Sequence, residues 1–450
     1  MIYKLSILLL LLMLAVPATA QDESDPEADA IAIAQGMIAE LNAEDYEAVV
    51  ERFTPEMSAA LPVGTLDQTW TSLTEQFGMY ESEYAVTVEP APGTDGLTVT
   101  VTTIFENAPL DFIVTVLPDG QIAGLFIRPA SVQLDAVAYI DPDAFTETDV
   151  IVGEDGEWPL PGTLALPNGD GPFPAVILLG GSGPTDRDGT VGAQAPLRDI
   201  AQGLASQGIA VLRYDKRPLV HGAQLADVTD FTLQEEYVDD TLAAITLLQS
   251  TEGVDTENIY IAGHSLGGSA APRIAAQSED VAGLIILAGG AAPLSDTIVR
   301  QFTYIAGLDG DISEEEQAQI DAVTVDAEAI NALAAGEDIE APASLLGTPA
   351  SYWLDLLTNP PAERAADLEI PMLILQGERD YQVTVADDLA LWEAATAERD
   401  DVTITTYAEL GHAFTTASDP ATPDDYAVAA NVDAAVIEDI IAWVNANSTE

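Results

Sequence analysis

The residues best suited to chemistry lie in a short glycine-rich segment, GHSLGG, at positions 263–268. Ser265 has a glycine two residues before it and another two residues after it, and the apolar run 258–262 comes directly before the segment. A strand that turns sharply into a helix crowds its own backbone, and glycines at these positions remove the side chains that would collide. The pattern predicts a nucleophile elbow that exposes the Ser265 hydroxyl for attack on an acyl carbon.

A serine hydroxyl is a poor nucleophile at neutral pH, so it needs a histidine to take its proton and a carboxylate to orient that histidine. The chain has three histidines, and His412 is the only one that follows Ser265, as the order serine, acid, histidine requires. His264 adjoins the serine on a tight turn, where consecutive side chains point apart, so we interpret it as a packing or hydrogen-bonding neighbour. His221 precedes the serine. We therefore predict that His412 is the general base.

The carboxylate is expected at the end of a strand between these two residues. The apolar run 372–376 leads into Gly377, Glu378, Arg379 and Asp380, and Asp380 is the best placed. Glu378 is the nearest competitor, but it follows the run by only two residues, and we interpret it as a rim charge paired with Arg379.

An oxyanion that develops on the substrate needs two backbone N–H donors. One is expected from Leu266, the residue after the nucleophile, and the other from the glycine-rich loop 180–189, which reads GGSGPTDRDG. In that loop Ser182 is the predicted donor and Gly181 the second candidate. A glycine-rich turn could also hold phosphate, but this one has neither a Walker lysine nor GxGxxG spacing, so the pattern favours an oxyanion hole.

The order of elements behind these motifs predicts an α/β fold. From about residue 150 onward strands alternate with helices, which is typical of a parallel sheet covered on both faces. The predicted strands are 175–179, 210–214, 259–262, 283–288, 372–376 and 403–407, and the predicted helices are 197–207, 234–249, 269–277, 386–397 and 434–445. The acid- and alanine-rich stretch of about 291–368 lacks a core strand and is predicted to be a helical lid over the catalytic edge.

The N-terminal part has a different pattern, with helices before a run of antiparallel strands. The predicted helices are 30–41, 46–53 and 66–77, and the predicted strands are 84–88, 97–105, 112–117 and 122–128. This order resembles the small cone-shaped NTF2-like domains of the DUF3887 type, which precede secreted bacterial hydrolases. The α+β domain is assigned to 30–130, a linker to 131–150 and the catalytic domain to 151–447. The small domain has no histidine or cysteine, so we expect it to bind a ligand or partner, or to act as a spacer.

Five motifs occur in one order, and together they carry a second resemblance: GSGPTDRDG, RYDKR at 213–217, GHSLGG, LQGERDYQV at 375–383 and GHAF at 411–414. The chain resembles secreted bacterial α/β-hydrolases of the dienelactone-hydrolase or serine-aminopeptidase (S33-like) group. That resemblance implies an α/β-hydrolase fold, a triad of Ser265, Asp380 and His412, and hydrolysis of a carboxylic ester or related acyl bond. One departure is Gly180, where many relatives have a histidine.

Two charged clusters near these motifs are predicted to be structural. Asp186, Arg187 and Asp188 are expected to form ion pairs that brace loops, together with the segment 215–217. A second set is interpreted as the solvated face of a helix, and its members are Glu235, Glu236, Asp239 and Asp240.

The first twenty residues predict export. Lys4 precedes an apolar run at 5–16 and the small residues 18–20, a pattern typical of a signal peptide cleaved after Ala20, and an acidic leader follows at 21–29. The apolar run is too short to span a bilayer comfortably, so no stable membrane insertion is expected after cleavage. An uncleaved anchor is the alternative. We therefore predict a secreted or extracytoplasmic protein.

The mature chain is strongly acidic. It carries 76 acidic residues and, once Lys4 is removed, 13 − 1 = 12 basic ones, so its formal charge is 76 − 12 = 64 negative. Such a surface excludes a basic nucleic-acid footprint and indicates either a saline setting or selection for solubility. The chain has no cysteine, and its three histidines are dispersed, so neither disulfides nor a metal site is expected, and no cofactor is implied.

The sequence favours an exported serine hydrolase acting on a small-molecule ester. A serine peptidase of the aminopeptidase type, acting on a short peptide, is the first alternative, because acids in the insertion could hold a substrate ammonium. A non-catalytic binding protein on a hydrolase scaffold is the second, since a fold does not by itself imply a function.

Overall fold

The computed structural model describes residues 26–449, apart from 92–93, 106–108, 131–136, 226–227, 229, 338–343 and 346–347. The predicted signal peptide and the first part of the predicted leader therefore lie outside the described residues. Helix α1 begins at Pro26, so the last four residues of the predicted leader, 26–29, are helical. The chain divides into two compact units.

The N-terminal part combines four helices with a four-stranded sheet of order β1-β2-β3-β4. Its elements are α1 Pro26–Asn42, α2 Tyr46–Glu51, α3 Pro55–Ala60, α4 Val63–Phe77, β1 Tyr80–Pro90, β2 Leu97–Phe105, β3 Pro109–Val116 and β4 Ile122–Pro129. Apolar residues three or four apart form the buried face of α1, as the periodicity predicts. Helix α3 was not predicted because none of its residues is buried; Thr54 caps it and Pro55 opens it.

The larger part is built on an eight-stranded sheet of order β14-β13-β10-β9-β7-β8-β6-β5. Its strands are β5 Phe145–Val152, β6 Leu160–Pro167, β7 Phe173–Leu179, β8 Ala210–Tyr214, β9 Val254–His264, β10 Gly283–Leu287, β13 Met372–Gly377 and β14 Val402–Tyr407. The six strands from β7 to β14 in this sheet are parallel, so their carboxyl ends meet at one edge. Ligands of open α/β sheets bind at that edge.

Helices cover both faces of this sheet. They are α5 Pro196–Ala205, α6 Arg217–Leu225, α7 Asp239–Gln249, α8 Leu266–Ala275, α13 Ala390–Thr396 and α14 Ala434–Asn447. A π-helical turn, Gln234–Val238, leads into α7, and another, Val385–Leu389, leads into α13. Successive strand residues join opposite apolar cores: Ile177 packs with one cluster and Val176 with the other. This two-faced burial explains why the core strands are continuous apolar runs.

The structure differs from the sequence prediction before β7. Phe145–Val152, most of which was predicted to be linker, forms the antiparallel edge strand β5 against β6. This strand was not predicted because four of its residues, 146–149, are exposed and polar, so the sequence contains no apolar run at this position. Strand β6 contains Pro161 and Gly162, which usually argue against a strand. A Cβ on Gly162 would lie 2.9 Å from the carbonyl oxygen of Arg213, so the close strand pairing requires glycine there.

The stretch predicted as a helical lid consists mostly of helices where it is described, with one short two-stranded ribbon. It contains α9 Leu294–Ala306, α10 Glu314–Ala334, the short ribbon β11 Ser344–Leu345 and β12 Thr348–Pro349, α11 Ala350–Leu357 and α12 Pro361–Ala366. Arg300 of α9 pairs with the buried Asp388 at 2.8 Å and donates to the carbonyl of Gln382 at 3.0 Å. None of the described helices combines the length and apolar character needed to cross a bilayer.

Candidate active site

Ser265 lies in the tight turn between β9 and α8, with φ 54° and ψ −121°. This left-handed conformation is strained for a residue with a side chain, at a cost of about 1–3 kcal/mol. A Cβ on Gly263 would lie 2.3 Å from the carbonyl carbon of Gly267, and one on Gly267 would lie 2.7 Å from the carbonyl oxygen of Gly180. Both positions therefore need glycine. The reason at Gly263 is the one the sequence suggests, crowding within the turn itself, whereas at Gly267 the close neighbour is the chain at the end of β7.

Asp380 lies three residues beyond the end of β13 and is buried. Its Oδ1 accepts hydrogen bonds from the backbone N–H groups of Gln382 at 2.8 Å and Val383 at 2.9 Å. Its Oδ2 accepts from Nε2 of Gln376 at 3.1 Å and lies 2.7 Å from Nδ1 of His412. An ionised carboxylate only accepts, so Nδ1 of His412 carries a proton and donates it to this bond.

His412 lies in the loop after β14, and the Asp380 contact leaves its Nε2 as the ring's acceptor. That tautomer is the one a general base for a serine needs. Among the described residues no hydrogen bond joins the Ser265 hydroxyl to His412. Such bonds are often long before substrate binds, and the two residues lie at the same edge of the sheet.

His264 is the hydrogen-bonding neighbour that the sequence suggests. Its Nε2 lies 2.8 Å from the carbonyl oxygen of His412, which can only accept, so Nε2–H is the donor. The ring centroids of the two histidines are 4.6 Å apart. Enclosure of the ring, together with the nearby His412, lowers the pKa of His264 to about 3. His264 is therefore neutral at pH 7 and braces the backbone of His412.

The predicted ion pair between Glu378 and Arg379 does not form. Glu378 accepts a hydrogen bond from the hydroxyl of Thr406 at 2.8 Å. Arg379 reaches the other way, donating to the carbonyl of Ala417 at 2.5 Å and lying 3.8 Å from Glu409. Glu378 is exposed on the rim, whereas Asp380 turns inward to His412, so the tertiary structure separates the two carboxylates that compete in the sequence.

The loop after β7 runs directly beside the elbow. A Cβ placed on Gly181 would lie 3.2 Å from the Cβ of Ser265, which is tighter than most such contacts, and 3.6 Å from its Oγ, so the loop passes close to the nucleophile. Ser182 and Leu266 line the same cavity as Ser265. Within the described part of the chain the N–H groups of Gly181, Ser182 and Leu266 donate to no protein acceptor. They are free to donate to a substrate oxygen.

The interpretation of 235–240 as a solvated helix face is wrong for two of its carboxylates. Glu236 is 5% exposed and Asp240 is 3% exposed. Glu236 forms an ion pair with Lys216 at 2.6 Å, and Asp240 forms one with Arg217. Both cations follow β8, and the sequence places them about twenty residues away, so only the folded chain reveals the pairs. Burial raises the pKa of Asp240 to about 6, and Arg217 opposes that shift.

Two more of the predicted loop-bracing charges, Arg187 and Asp188, form ion pairs, whereas Asp186 instead accepts from the backbone N–H groups of Asp188 and Thr190. Arg187 contacts Asp215 at 2.8 Å, and Nε of Arg213 lies 2.9 Å from Asp188. Glu235 accepts from the backbone N–H of Thr232 at 2.8 Å, which holds the start of the following helix. These groups stabilise the loops without lining the cavity.

A cavity of about 610 Å³ lies between the carboxyl edge of the sheet and the lid. Ser265 and Ser182 lie in its wall, and most of the remaining wall is apolar. Its apolar side chains include Phe231, Leu294, Ile298, Trp353, Leu356 and Leu391. Glu236 and Glu363 are its carboxylates among the described residues, and Glu236 is neutralised by Lys216. No group of His, Asp and Glu side chains in the described residues could hold a metal ion.

Sequence families cover both parts of the chain. Residues 193–419 match the family described as serine aminopeptidase, S33, and residues 34–125 match a family described as protein of unknown function (DUF3887). Esterase EstD of Thermotoga maritima is 34% identical over 412 residues, which cover 90% of this chain and 93% of the relative.

Solved structures similar to this chain include both esterases and peptidases. Est1E from Butyrivibrio proteoclasticus superposes with a TM-score of 0.43 at 19% identity, covering 66% of this chain and 98% of that one. A puromycin-hydrolyzing peptidase from Mycobacterium tuberculosis has a TM-score of 0.45 at 17% identity, covering 78% of this chain and 46% of that one.

Proposed function

The chain belongs to the hydrolase family described as serine aminopeptidase, S33, and on that premise we propose that it is an exported serine hydrolase acting on carboxylic esters. The predicted α/β-hydrolase fold and the DUF3887-type domain ahead of it are confirmed. The observation that carries the proposal is the strained Ser265 at the same sheet edge as the hydrogen-bonded pair of Asp380 and His412. The 34% identity to an esterase along nearly the whole chain supports the ester substrate.

In the proposed reaction Nε2 of His412 takes the proton of Ser265 as Oγ bonds to the acyl carbon. The carbonyl π electrons move to the oxygen, and the resulting oxyanion accepts from the N–H of Leu266 and from that of Ser182 or Gly181. The tetrahedral intermediate collapses, and His412 gives its proton to the departing alcohol. Water then attacks the acyl carbon of the acyl-enzyme as Nε2 of His412 takes its proton, which forms a second tetrahedral intermediate. When this intermediate collapses, the bond between Oγ and the acyl carbon breaks, His412 returns the proton to Oγ of Ser265, and the carboxylic acid leaves.

The strain at Ser265 serves this reaction. The left-handed turn lifts the side chain away from the strand, and the N-terminal turn of α8 begins at Leu266, whose N–H has no helical partner. One short segment therefore supplies both a nucleophile and an oxyanion donor. The rest of the fold stabilises the conformation.

A labelling experiment tests the proposal. We expect a fluorophosphonate probe to modify Ser265 in the folded protein, and p-nitrophenyl esters to be hydrolysed. The Ser265→Ala variant should show neither activity nor label. Active protein whose label maps to another residue would refute the assignment of Ser265 as the nucleophile. Native protein that neither labels nor turns over esters would refute the proposal and favour the binding-protein alternative.

A peptidase is the second candidate because the family description names aminopeptidases. An aminopeptidase must hold a substrate ammonium with a carboxylate. In the described wall of the cavity, Glu236 is already paired with Lys216, and Glu363 is exposed at the start of α12. This arrangement favours neutral substrates. Turnover of an aminoacyl amide faster than its matched ester would reverse the preference.

The cavity indicates what kind of ester fits. Its largely apolar wall and its volume of about 610 Å³ suit an apolar acyl or alcohol group larger than acetyl. Export and a binding role for the N-terminal domain stay predictions. Export is checked by sequencing the N-terminus of the protein recovered from outside the cytoplasm, which should begin at Gln21.

A further inference from the structure

Lys216 is the only lysine of the chain other than Lys4, and it is buried, with 3% of its surface exposed. It directly follows Asp215 at the end of β8. Its Nζ lies 2.7 Å from the carbonyl oxygen of Gly181, 3.0 Å from that of Gly183 and 2.7 Å from the hydroxyl of Tyr237. Both carbonyls belong to the loop beside Ser265.

Tyr237 contacts the same loop. Its hydroxyl accepts from Lys216 and has one proton to donate, which is within reach of the carbonyl oxygens of Gly181 at 2.7 Å and Gly180 at 3.0 Å. Tyr237 lies in the π-helical turn Gln234–Val238, next to Glu236. The carbonyl of Gly181 is therefore held by Lys216, and it shares the single proton of the Tyr237 hydroxyl with the carbonyl of Gly180.

Peptide geometry connects these contacts to the candidate oxyanion donors. In a planar trans peptide the carbonyl of one residue and the N–H of the next point in opposite directions. The carbonyl of Gly181 points to Lys216, so the N–H of Ser182 points away from it. The carbonyl of Gly180, within reach of Tyr237, orients the N–H of Gly181 in the same way. Holding these carbonyls thus sets the direction of both candidate donors.

The charge of the ammonium adds a second effect. A cation bound to a carbonyl oxygen polarises the amide and makes the N–H at its other end a stronger donor. Burial lowers the pKa of Lys216, and the adjacent Glu236 opposes that shift. Glu236 also accepts from the hydroxyl of Tyr352 in α11, so both members of the buried pair have further partners. The cation is thereby kept behind the loop and out of water.

We propose that Lys216 is a positioning residue for the oxyanion hole: through the carbonyl of Gly181 it orients and polarises the N–H of Ser182 toward the oxygen of the bound acyl group. Tyr237 supports the same carbonyl. Glu236 balances the charge of Lys216. The inference rests on the proposed function, because it needs an oxyanion to form at Ser265. It assigns no direct contact between Lys216 and substrate.

The test must remove the cation without leaving a buried charge unpaired, because an unpaired Glu236 would destabilise the fold by itself. The variant is therefore Lys216→Met combined with Glu236→Gln. The matched control is Arg217→Met combined with Asp240→Asn. It removes an equally buried ion pair between the same two segments, and that pair does not contact the loop 180–183.

Three quantities are measured with a p-nitrophenyl ester and a boronic acid: kcat, KM and the boronate inhibition constant. A boronate forms a tetrahedral adduct with a serine, so its affinity reports on the oxyanion hole. We expect the Lys216 double variant to lower kcat roughly 100-fold, the scale of losing one oxyanion donor, and to weaken boronate binding in parallel. KM should stay within about threefold, because Glu236→Gln keeps the size of the side chain that lines the cavity and Lys216 does not line it. The control should keep kcat within about threefold of wild type even if its Tm falls equally.

Several outcomes would overturn the inference. The first is a folded Lys216 double variant whose kcat is near that of wild type. The second is an equal loss of kcat in this variant and in the control, and the third is a loss of kcat without weaker boronate binding.

If the Lys216 double variant does not fold, Tyr237→Phe provides the test, because it removes one hydroxyl from the same carbonyl. We expect its kcat to be about tenfold lower at unchanged KM, and an unchanged kcat would refute the inference. Wild-type protein that neither labels at Ser265 nor turns over ester overturns the proposed function as well, so the two failures are distinguishable.

Discussion

Replacing Asp380 with asparagine changes one atom and should nearly abolish turnover. The aspartate has two accepting oxygens, and the structure uses both: Oδ1 for the N–H groups of Gln382 and Val383, and Oδ2 for Gln376 and His412. Asparagine has one accepting oxygen and one NH2 group. In either orientation of the amide, its NH2 group faces N–H donors: those of Gln376 and His412 in one, and the backbone N–H groups of Gln382 and Val383 in the other.

The less costly orientation keeps the asparagine oxygen on the two backbone N–H groups. Its NH2 then faces His412, whose Nδ1 must become the acceptor, so the ring proton moves to Nε2. A protonated Nε2 cannot take the proton of Ser265. We expect kcat to fall by about 10⁴-fold, as a wrong histidine tautomer does in serine hydrolases. Loss of the charged acceptor should also lower the free energy of unfolding by about 2 kcal/mol.

The assay compares Asp380→Asn with Glu378→Gln, two residues earlier in the same loop. Glutamine can still accept from the hydroxyl of Thr406, so this control should keep kcat within about twofold. KM should change little in either variant, because neither carboxylate lines the described wall of the cavity. If Asp380→Asn retained more than about a tenth of wild-type kcat, or if the control lost as much, the assignment of the acid would be refuted.

Three further predictions concern stability. Ser265→Gly should unfold with a free energy about 1 kcal/mol higher than Ser265→Ala in urea titration, because glycine accepts φ 54° without strain; equal values would contradict the strain. The folded pKa of His264 is lowered to about 3, below the unfolded value of about 6.5, so the unfolded chain binds the extra proton between these limits. The stability that the neutral His264 contributes is therefore complete above pH 6.5 and is lost as pH falls toward 3. The Tm of His264→Gln should then fall less than that of wild type between about pH 7 and pH 5. Parallel Tm curves for the two proteins would contradict the lowered pKa of His264. Finally, with 76 acidic and 13 basic residues, Tm should rise as salt is added toward about 1 M, because salt screens repulsion; a flat or falling curve would remove the saline interpretation.

Much of the larger fold was predictable because its signals are local. Each of the six predicted strands overlaps a strand of the parallel sheet, and 210–214 agrees at both ends. These strands are buried on both faces, so they read as apolar runs. The antiparallel strands β5 and β6 were not predicted, because one is polar at the sheet edge and the other is interrupted by Pro161 and Gly162. Edge strands need no continuous apolar run.

In the candidate site, too, some features follow from the local sequence and others only from the tertiary structure. Gly263 relieves crowding within the turn at Ser265, and Asp380 and His412 each follow a recognisable strand, so local pattern and chain order were enough to propose all three as candidates. The contact of 2.7 Å between Asp380 and His412, which sets the histidine tautomer, depends on the adjacency of β13 and β14. Their roles in catalysis stay predictions until the labelling and the substitutions are measured.

The burial and pairing of charged side chains could be predicted least well from the sequence. In a chain with 76 acidic residues, nothing in the sequence marks Glu236 and Asp240 as different from solvated neighbours. The partners of these two carboxylates, Lys216 and Arg217, follow the end of strand β8. The two carboxylates can be buried only because the fold brings these cations into contact with them. Local patterning, which acts over a few residues, determined the elements, the elbow and the identity of the candidate nucleophile, base and acid. Only the tertiary structure decided which charges are buried and what holds the loop beside Ser265, because electrostatic partnership depends on distance in space.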